Sequence, residues 1–141
     1  MLTITRAHRA LLRVTRGRIG SQLGSMRVIE VTTRGRQTGK SRSVLLTVAA
    51  NDGDALVIVA SRGGDDAHPA WYLNLVADPA VSVGSPGKPA RDMRARVATA
   101  TERARLWALV VSSYRGYASY QRKTRREIPL VILEPLTPDA R

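Results

Sequence analysis

The chain has 141 residues, of which 43% are hydrophobic, and its formal net charge is +12. This size and composition predict one globular domain, and the charge predicts a polyanionic partner such as nucleic acid, anionic lipid or a phosphorylated cofactor. Cysteine is absent and the only histidines are His8 and His68, which excludes disulfides and leads us to expect no metal centre. No apolar run approaches the roughly 20 residues that span a bilayer, and the N-terminus lacks the apolar region of a signal peptide. We therefore expect a cytoplasmic protein.

Residues 1–26 are predicted to form a basic amphipathic helix, over residues 3–19, and a connector. Small apolar residues oppose the basic face. One interpretation is a helix lying on an anionic membrane surface, and the other is a helix packed on its own domain with its basic side chains in water. The basic face is formed by Arg6, Arg9, Arg13 and Arg16.

The main domain is predicted over residues 27–136, with a polar tail at 137–141. Its first strand is expected at 27–33. Turn residues at 51–54 predict a hairpin between a strand at 43–49 and the next at 55–60.

The second half of the domain alternates short strands and helices. We expect helices at 69–77, 101–112 and 114–124, the second of them capped by Thr101, and strands at 81–84, 89–98 and 128–134. This order indicates an α+β fold, in which about six mostly antiparallel strands form a small barrel with flanking helices.

Residues 35–42 form a polar loop between two predicted strands. Arginine forks, hydroxyls and free backbone N–H groups suit a phosphate or carboxylate chain. A nucleotide-triphosphate loop is rejected because Arg34 occupies its first glycine position and a strand follows. The alternative is a solvated hairpin tip. The candidate contacts in this loop are Arg36, Gln37, Thr38, Lys40 and Arg42.

The segment SRGGDDAHPAWYLN, residues 61–74, is the second candidate site. Paired glycines after a strand allow a sharp turn and leave N–H groups bare, so that a flat ring or a phosphate can approach the backbone. Trp71 and Asn74 are three residues apart and share one face of the following helix. The segment therefore indicates a cofactor cradle, with an ordinary strand-loop-helix as the alternative.

Tyr114, Tyr117 and Tyr120 repeat at a spacing of three in a chain that has four tyrosines. On a helix they would lie along one face and could line a pocket for an aromatic substrate. The alternative is a stripe of core residues with hydroxyls at the rim.

Three blocks together resemble the deazaflavin-dependent nitroreductase family: TTRGRQTGKSRSVLL at 32–46, VIVASRGGDDAHPAWYLNLVADPAVSV at 57–83, and ERARLWALVVSSYRGYASYQRKTRREIPLVILEP at 102–135. The resemblance covers most of residues 27–135 and implies a split β-barrel of the flavin-reductase type. It also implies binding of coenzyme F-420, an 8-hydroxy-5-deazaflavin with a phosphate and an anionic oligoglutamate tail.

The resemblance also implies roles for individual residues. Gln37 stands where family members usually carry a basic residue, which removes one charge from the tail site, so the tail contacts here differ in detail. Leu45 stands where they usually carry proline, which alters only the entry into the strand. The family's cofactor-tail segment matches Arg36, Thr38, Lys40 and Arg42. Its ring-cradling segment matches Ala60, Ser61, Arg62, Gly63 and Gly64 with Trp71 and Asn74, and its substrate-side residues match Ser61, Tyr114, Tyr117 and Tyr120.

The function implied is hydride transfer from C5 of reduced F-420 to a quinone, a nitroaromatic or an activated alkene, with the cofactor supplying the chemistry. Three alternatives remain: a deazaflavin carrier without turnover, an enzyme using flavin mononucleotide on the same barrel, and a basic nucleic-acid-binding domain, for which no recognition motif is found. The family resemblance favours a monomer, and a membrane quinone would give the N-terminal helix a purpose.

Overall fold

The computed structural model describes residues 22–23 and 26–136. The predicted N-terminal helix at 3–19 and the tail at 137–141 lie outside the described residues. No helix within the described ranges is long and apolar enough to cross a membrane.

Eight strands and three helices make up the described chain, and every strand pair is antiparallel. Six strands have five residues or more, as predicted for an antiparallel α+β fold. The strands are β1 (Gln22–Leu23), β2 (Met26–Arg34), β3 (Ser41–Thr47), β4 (Ala50–Asp52), β5 (Ala55–Val59), β6 (Ala80–Ser85), β7 (Lys88–Val97) and β8 (Leu130–Pro135). The helices are α1 (Ala70–Ala77), α2 (Ala100–Ser113) and α3 (Gly116–Arg122).

The sheet is curled, and two consecutive residues of the chain form hydrogen bonds with strands near its opposite ends. Its order is β2-β6-β7-β8-β5-β4, and β3 pairs with the other side of β2. Between β3 and β4, the Val48 N–H donates to the Arg27 carbonyl at 2.7 Å and the Ala49 N–H donates to the Val57 carbonyl at 2.8 Å. The chain thus passes from one edge of the sheet to the other, which removes open strand edges at this point. This is the split-barrel fold predicted from the sequence.

The predicted hairpin between 43–49 and 55–60 is wrong in its first arm. β3 pairs with β2 across the loop at 35–40, and only the short β4 pairs with β5. The physical reason is the bend at Val48–Ala49, which divides one predicted strand between two neighbours. The turn at 51–54 is where the sequence predicts it.

Two apolar clusters lie on opposite faces of β5 and β8. Leu56 and Ile58 of β5 join the cluster inside the curled sheet, where α1 adds Trp71 and Leu75. The intervening β5 residues face the second cluster, under α2 and α3. A strand buried on both faces loses the apolar–polar alternation of a half-exposed one, which explains the continuous apolar sequence ALVIV.

Helix α2 begins at a capping box, in which Thr99 is the cap, not Thr101. The Thr99 hydroxyl accepts from the Glu102 N–H at 3.2 Å, and a Glu102 carboxylate oxygen accepts from the Thr99 N–H at 2.9 Å. The Arg96 guanidinium donates to both oxygens of Glu102 at 2.6 and 2.7 Å. The hydrogen bonds from Arg96 and then from the Thr99 backbone lower the pKa of Glu102 to about 2.

We expect Glu102→Gln to make the melting temperature of the protein less dependent on pH between pH 4.5 and 2. Because the folded state lowers this pKa from 4.5 to about 2, its contribution to stability is present above about pH 4.5 and is lost as the pH falls towards 2. Thermal melting between pH 2 and 7 measures this, with Asp54→Asn, an exposed turn carboxylate, as the control. If the melting temperature of Glu102→Gln fell with acid as steeply as that of the wild type, the lowered pKa of Glu102 would not be what stabilises the protein above pH 4.5.

Candidate functional site

A pocket of about 340 Å³ lies between the β2–β3 loop and the first turns of α1. It brings together residues that the sequence predicted in two separate segments. The wall from the loop side consists of Gly35, Arg36, Gln37, Thr38, Arg42, Ser43 and Val44, and the wall from the helix side consists of Ala70, Trp71 and Asn74.

Asn74 joins the two walls. Its Oδ1 accepts from the backbone N–H of Arg36 at 3.2 Å and from Arg36 Nη1 at 2.9 Å, while its Nδ2 donates to Thr33 Oγ1 at 3.3 Å. Asn74 and Thr33 are both buried. A buried amide whose oxygen and nitrogen are both used is costly to replace, so Asn74 fixes where the loop presents its arginine.

Within the loop, a tight turn presents the hydroxyl and cationic side chains. The Gly35 N–H donates to the Lys40 carbonyl at 2.7 Å, and the Thr38 hydroxyl accepts from the Lys40 N–H at 3.2 Å. The Lys40 side chain is exposed and does not line the pocket. It adds positive charge to the same loop.

The segment after β5 forms a single turn of 3₁₀-helix over Arg62–Gly64. Three consecutive residues have left-handed backbone: Arg62 at φ 46°, Gly63 at φ 66° and Gly64 at φ 88°. A methyl group at Gly63 would meet nothing within 4 Å, whereas one at Gly64 would lie 2.7 Å from the Tyr120 carbonyl oxygen. Gly63 therefore leaves open space, while Gly64 lets the turn pack directly on α3.

We expect Gly64→Ala to destabilise the protein more than Gly53→Ala. Gly53 also has positive φ, 62°, but open space around it, so both variants bear the left-handed cost of about 1–2 kcal/mol. Gly64→Ala adds a backbone clash, which costs about 1–3 kcal/mol more. Urea unfolding measures both, and equal losses would show that the contact with α3 does not matter.

Arg126, which the sequence analysis did not single out, holds this turn in place. Its Nη2 donates to the Ser61 carbonyl at 2.9 Å, its Nη1 to the Ala60 carbonyl at 3.2 Å, and its Nε to the Asp65 carbonyl at 2.8 Å. Nη1 also lies 3.2 Å from His68 Nδ1, and burial is the main reason that the pKa of His68 is lowered. In the sequence Arg126 is one of several basic residues in KTRRE, and no local pattern marks it.

The Ser61 side chain lies at the start of this turn and is buried. Ser61 is 8% exposed, and among the described residues its hydroxyl has no hydrogen-bond partner. A buried hydroxyl without a partner is unfavourable.

The three tyrosines do come together, but not along one helix. Tyr114 follows α2 in extended conformation at φ −156°, and Tyr117 and Tyr120 lie on α3. Ring centroids are 5.2 Å apart for Tyr114–Tyr117, 6.1 Å for Tyr114–Tyr120 and 6.2 Å for Tyr117–Tyr120. Among the described residues that line the 340 Å³ pocket there is no tyrosine.

The tyrosines differ in burial and in hydrogen bonding. Tyr117 is 6% exposed, belongs to the cluster under α2 and α3, and its hydroxyl lies 2.9 Å from Thr47 Oγ1. Tyr114 is 42% exposed, and its hydroxyl lies 3.3 Å from that of Tyr120. The hydrogen bond with Tyr114, and then burial, raise the pKa of Tyr120 to about 12. Its hydroxyl therefore stays protonated at neutral pH.

The residues present fit a flat ring with a polyanionic tail. The turn at 61–64 offers backbone without a side chain at Gly63 and a free buried hydroxyl at Ser61, and the pocket offers two arginines within a hydroxyl-bearing loop. A curled antiparallel sheet with helices packed beside it defines a split-barrel protein.

Comparison with known proteins specifies the family. Residues 4–135 match the family model described as F420H(2)-dependent quinone reductase. A protein of that name from Mycobacterium tuberculosis is 38% identical over 139 residues, which cover 92% of this chain and 89% of that protein. The chain therefore belongs to the F420H(2)-dependent quinone reductase family, and the resemblance predicted from the sequence is confirmed.

Two solved structures support the same assignment. A structure described as an F420-H2 dependent reductase is 42% identical, has a TM-score of 0.67, and the match covers 76% of this chain and 93% of that one. A second, described as a domain-swapped dimer, is 37% identical with a TM-score of 0.68, and the match covers 89% of this chain and 98% of that one. Both confirm the fold.

Proposed function

We propose that this protein catalyses the transfer of a hydride from reduced F-420 to a quinone. The observation that carries the proposal is the pocket in which the cationic loop meets α1, next in sequence to a turn whose backbone is left bare by glycine. F-420, when bound, supplies the hydride. The protein supplies position, charge and exclusion of water.

The cofactor tail is assigned to the β2–β3 loop. Arg36 and Arg42 line the pocket, and Lys40 is an exposed cation of the same loop, so the loop offers three cations to an anionic chain. Gln37 and Thr38 add neutral hydrogen-bonding groups. Because Gln37 is uncharged, we expect the tail to depend more on Arg36, which Asn74 holds in a fixed position.

The deazaflavin ring is assigned to the turn at 60–64, with Trp71 on the neighbouring helix. Ala60 and Trp71 belong to the apolar cluster inside the barrel, so one side of the cradle is dry. Arg62 and Gly63 adopt left-handed conformations, and Gly63 leaves its backbone bare with open space beside it. A flat ring can approach such a surface closely.

We assign the quinone-binding site to the space next to Ser61 and the three tyrosines. The Ser61 hydroxyl would donate a hydrogen bond to a quinone oxygen as negative charge develops there. Tyr114 and Tyr120 would form the wall, with Tyr117 packed behind them, and the Tyr120 hydroxyl would deliver the proton. Nitroaromatics and activated alkenes would be accepted as incidental substrates, since the same hydrogen bond stabilises any oxyanion.

A membrane-borne quinone is the physiological acceptor that we propose, with the basic N-terminal segment making the membrane contact. We propose a monomer, as the family resemblance favours. The solved relative that is a domain-swapped dimer makes light scattering of this protein a direct check.

The test is tryptophan fluorescence during titration with oxidised F-420, with flavin mononucleotide as the comparator. Trp107 lies on α2, where Arg103 stacks on its ring at 4.7 Å, so Trp107→Phe leaves Trp71 as the reporter. Saturable quenching by F-420, followed by oxidation of reduced F-420 on addition of a soluble naphthoquinone, supports the proposal. Quenching without turnover across a panel of quinones and nitroaromatics would indicate a carrier, and absence of binding would refute both.

A further inference from the structure

A second pocket, of about 490 Å³, opens at the end of α3. It shares no lining residue with the pocket beside α1. Its wall is made of Asp66, Arg122, Lys123, Thr124, Arg125 and Arg126. Four basic residues and one acidic residue therefore line this pocket.

Within the described residues, none of these cations forms an ion pair with a carboxylate, although the charges of Asp65 and Asp66 act on Arg126 from farther away. The nearby carboxylates are used elsewhere: Asp65 lies 3.7 Å from Arg62, and Glu127 lies 3.4 Å from Arg103. The end of α3 explains one cation, because a positive charge there interacts favourably with the last carbonyls, and Arg122 also donates to Ser119 at 3.1 Å. It does not explain the three that follow.

The inner wall of this pocket is fixed in place by contacts already described. The Lys123 ammonium lies 5.7 Å from the centre of the Tyr120 ring, and the Lys123 Cβ packs on Gly64. Arg126 is held by the carbonyls of the 60–65 turn. Arg122 and Arg125 are exposed, and the Thr124 hydroxyl accepts from the Arg126 N–H at 3.3 Å. The donors are thus partly preorganised.

We propose that this pocket binds a phosphate group, either of a phosphorylated small molecule or of a lipid headgroup, independently of the cofactor-tail loop at 35–42. Two guanidinium forks, an ammonium and a hydroxyl offer more donors than a carboxylate can accept, and they match the several oxygens of a phosphate. Crowding of like charges in a concave wall also raises the local potential for an anion.

The first experiment uses inorganic phosphate and the full chain without cofactor. Amide shifts of residues 122–126 are followed by NMR against chloride at equal ionic strength. We expect saturable shifts, and at least a tenfold weaker affinity in the double variant R122Q/R125Q. The matched control K88Q/R91Q removes the same charge from the exposed start of β7 and should bind phosphate as the wild type does. Thermal melting verifies that both variants are folded.

Absence of saturable shifts would overturn the proposal, and so would equal weakening in the two double variants, since the effect would then be one of net charge. The same proteins are sedimented with phosphatidylglycerol or phosphatidylcholine vesicles. Selective loss of phosphatidylglycerol binding in R122Q/R125Q identifies a lipid headgroup, whereas phosphate binding without vesicle binding identifies a small molecule. Weakened F-420 binding in R122Q/R125Q would assign the pocket to the cofactor tail and refute an independent site.

Discussion

We expect Arg126→Gln to weaken F-420 binding by about tenfold or more and to have the largest effect of any single charged-residue substitution in the described chain. The guanidinium serves three backbone carbonyls at once, those of Ala60, Ser61 and Asp65. Hydrogen bonds from a charged donor contribute about 1.5–3 kcal/mol each. A glutamine has one amide group and cannot replace all three.

The consequence for the site follows from the conformation of the turn. Arg62, Gly63 and Gly64 all adopt positive φ, and Arg62 does so at a cost of about 1 kcal/mol or more. With the carbonyls at 60 and 61 released, the turn can relax, and the Ser61 hydroxyl moves with it. Arg126 is thus a positioning residue for the cradle rather than a contact of the cofactor.

The measurement is the F-420 dissociation constant, with thermal melting to show that the variant is folded at the assay temperature. Arg126→Lys keeps the charge but lacks the planar fork, so it should bind F-420 almost as poorly as Arg126→Gln. Arg91→Gln, an exposed cation on β7, should bind as the wild type does. Binding of F-420 by Arg126→Lys as strong as that of the wild type would mean that the positive charge alone matters and that the turn does not require the planar guanidinium group.

The part of this architecture that could be predicted from sequence is the part encoded locally. The turn at 51–54 and the apolar run at 55–59 identify a buried strand, and the glycines at 63 and 64 identify a special backbone turn. The pairing of β3 could not be predicted in the same way. Ser41–Thr47 has two possible antiparallel neighbours, and the bend at Val48–Ala49 that decides between them is a tertiary feature.

The same limit applies to the candidate site. Arg36 and Arg42 were predicted from composition and family resemblance, and the structure places both in one pocket with Trp71 and Asn74. The partnership of Arg126 with Ala60 and Ser61 joins residues more than 60 positions apart, and no local signal reports such a contact. Burial is equally hidden, because a spacing of three does not say which tyrosine faces the core.

The tyrosines give the second large prediction, and burial determines which substitutions are informative. Tyr117→Ala should cost about 3–5 kcal/mol of unfolding free energy, since it removes a 6% exposed ring from a packed cluster. Tyr117→Phe keeps the ring and removes the hydroxyl that bonds Thr47, so it should cost about 1 kcal/mol. Urea unfolding compares the two, and similar losses would show that the hydroxyl rather than the ring holds α3 to the barrel.

Tyr120→Phe isolates the proposed proton transfer, because Tyr120 is only partly buried and its ring remains. Since the Tyr120 pKa is raised to about 12, its hydroxyl stays protonated throughout the assay range and can act as a donor. We expect kcat for quinone reduction to fall by about 10²-fold or more, while F-420 affinity changes less than twofold. A parallel loss of affinity would place Tyr120 in the cofactor site, and an unchanged kcat would mean that solvent delivers the proton. Tyr114→Phe removes the 3.3 Å contact between the two hydroxyls, and a lowered kcat in this variant would indicate that Tyr120 is reprotonated through Tyr114.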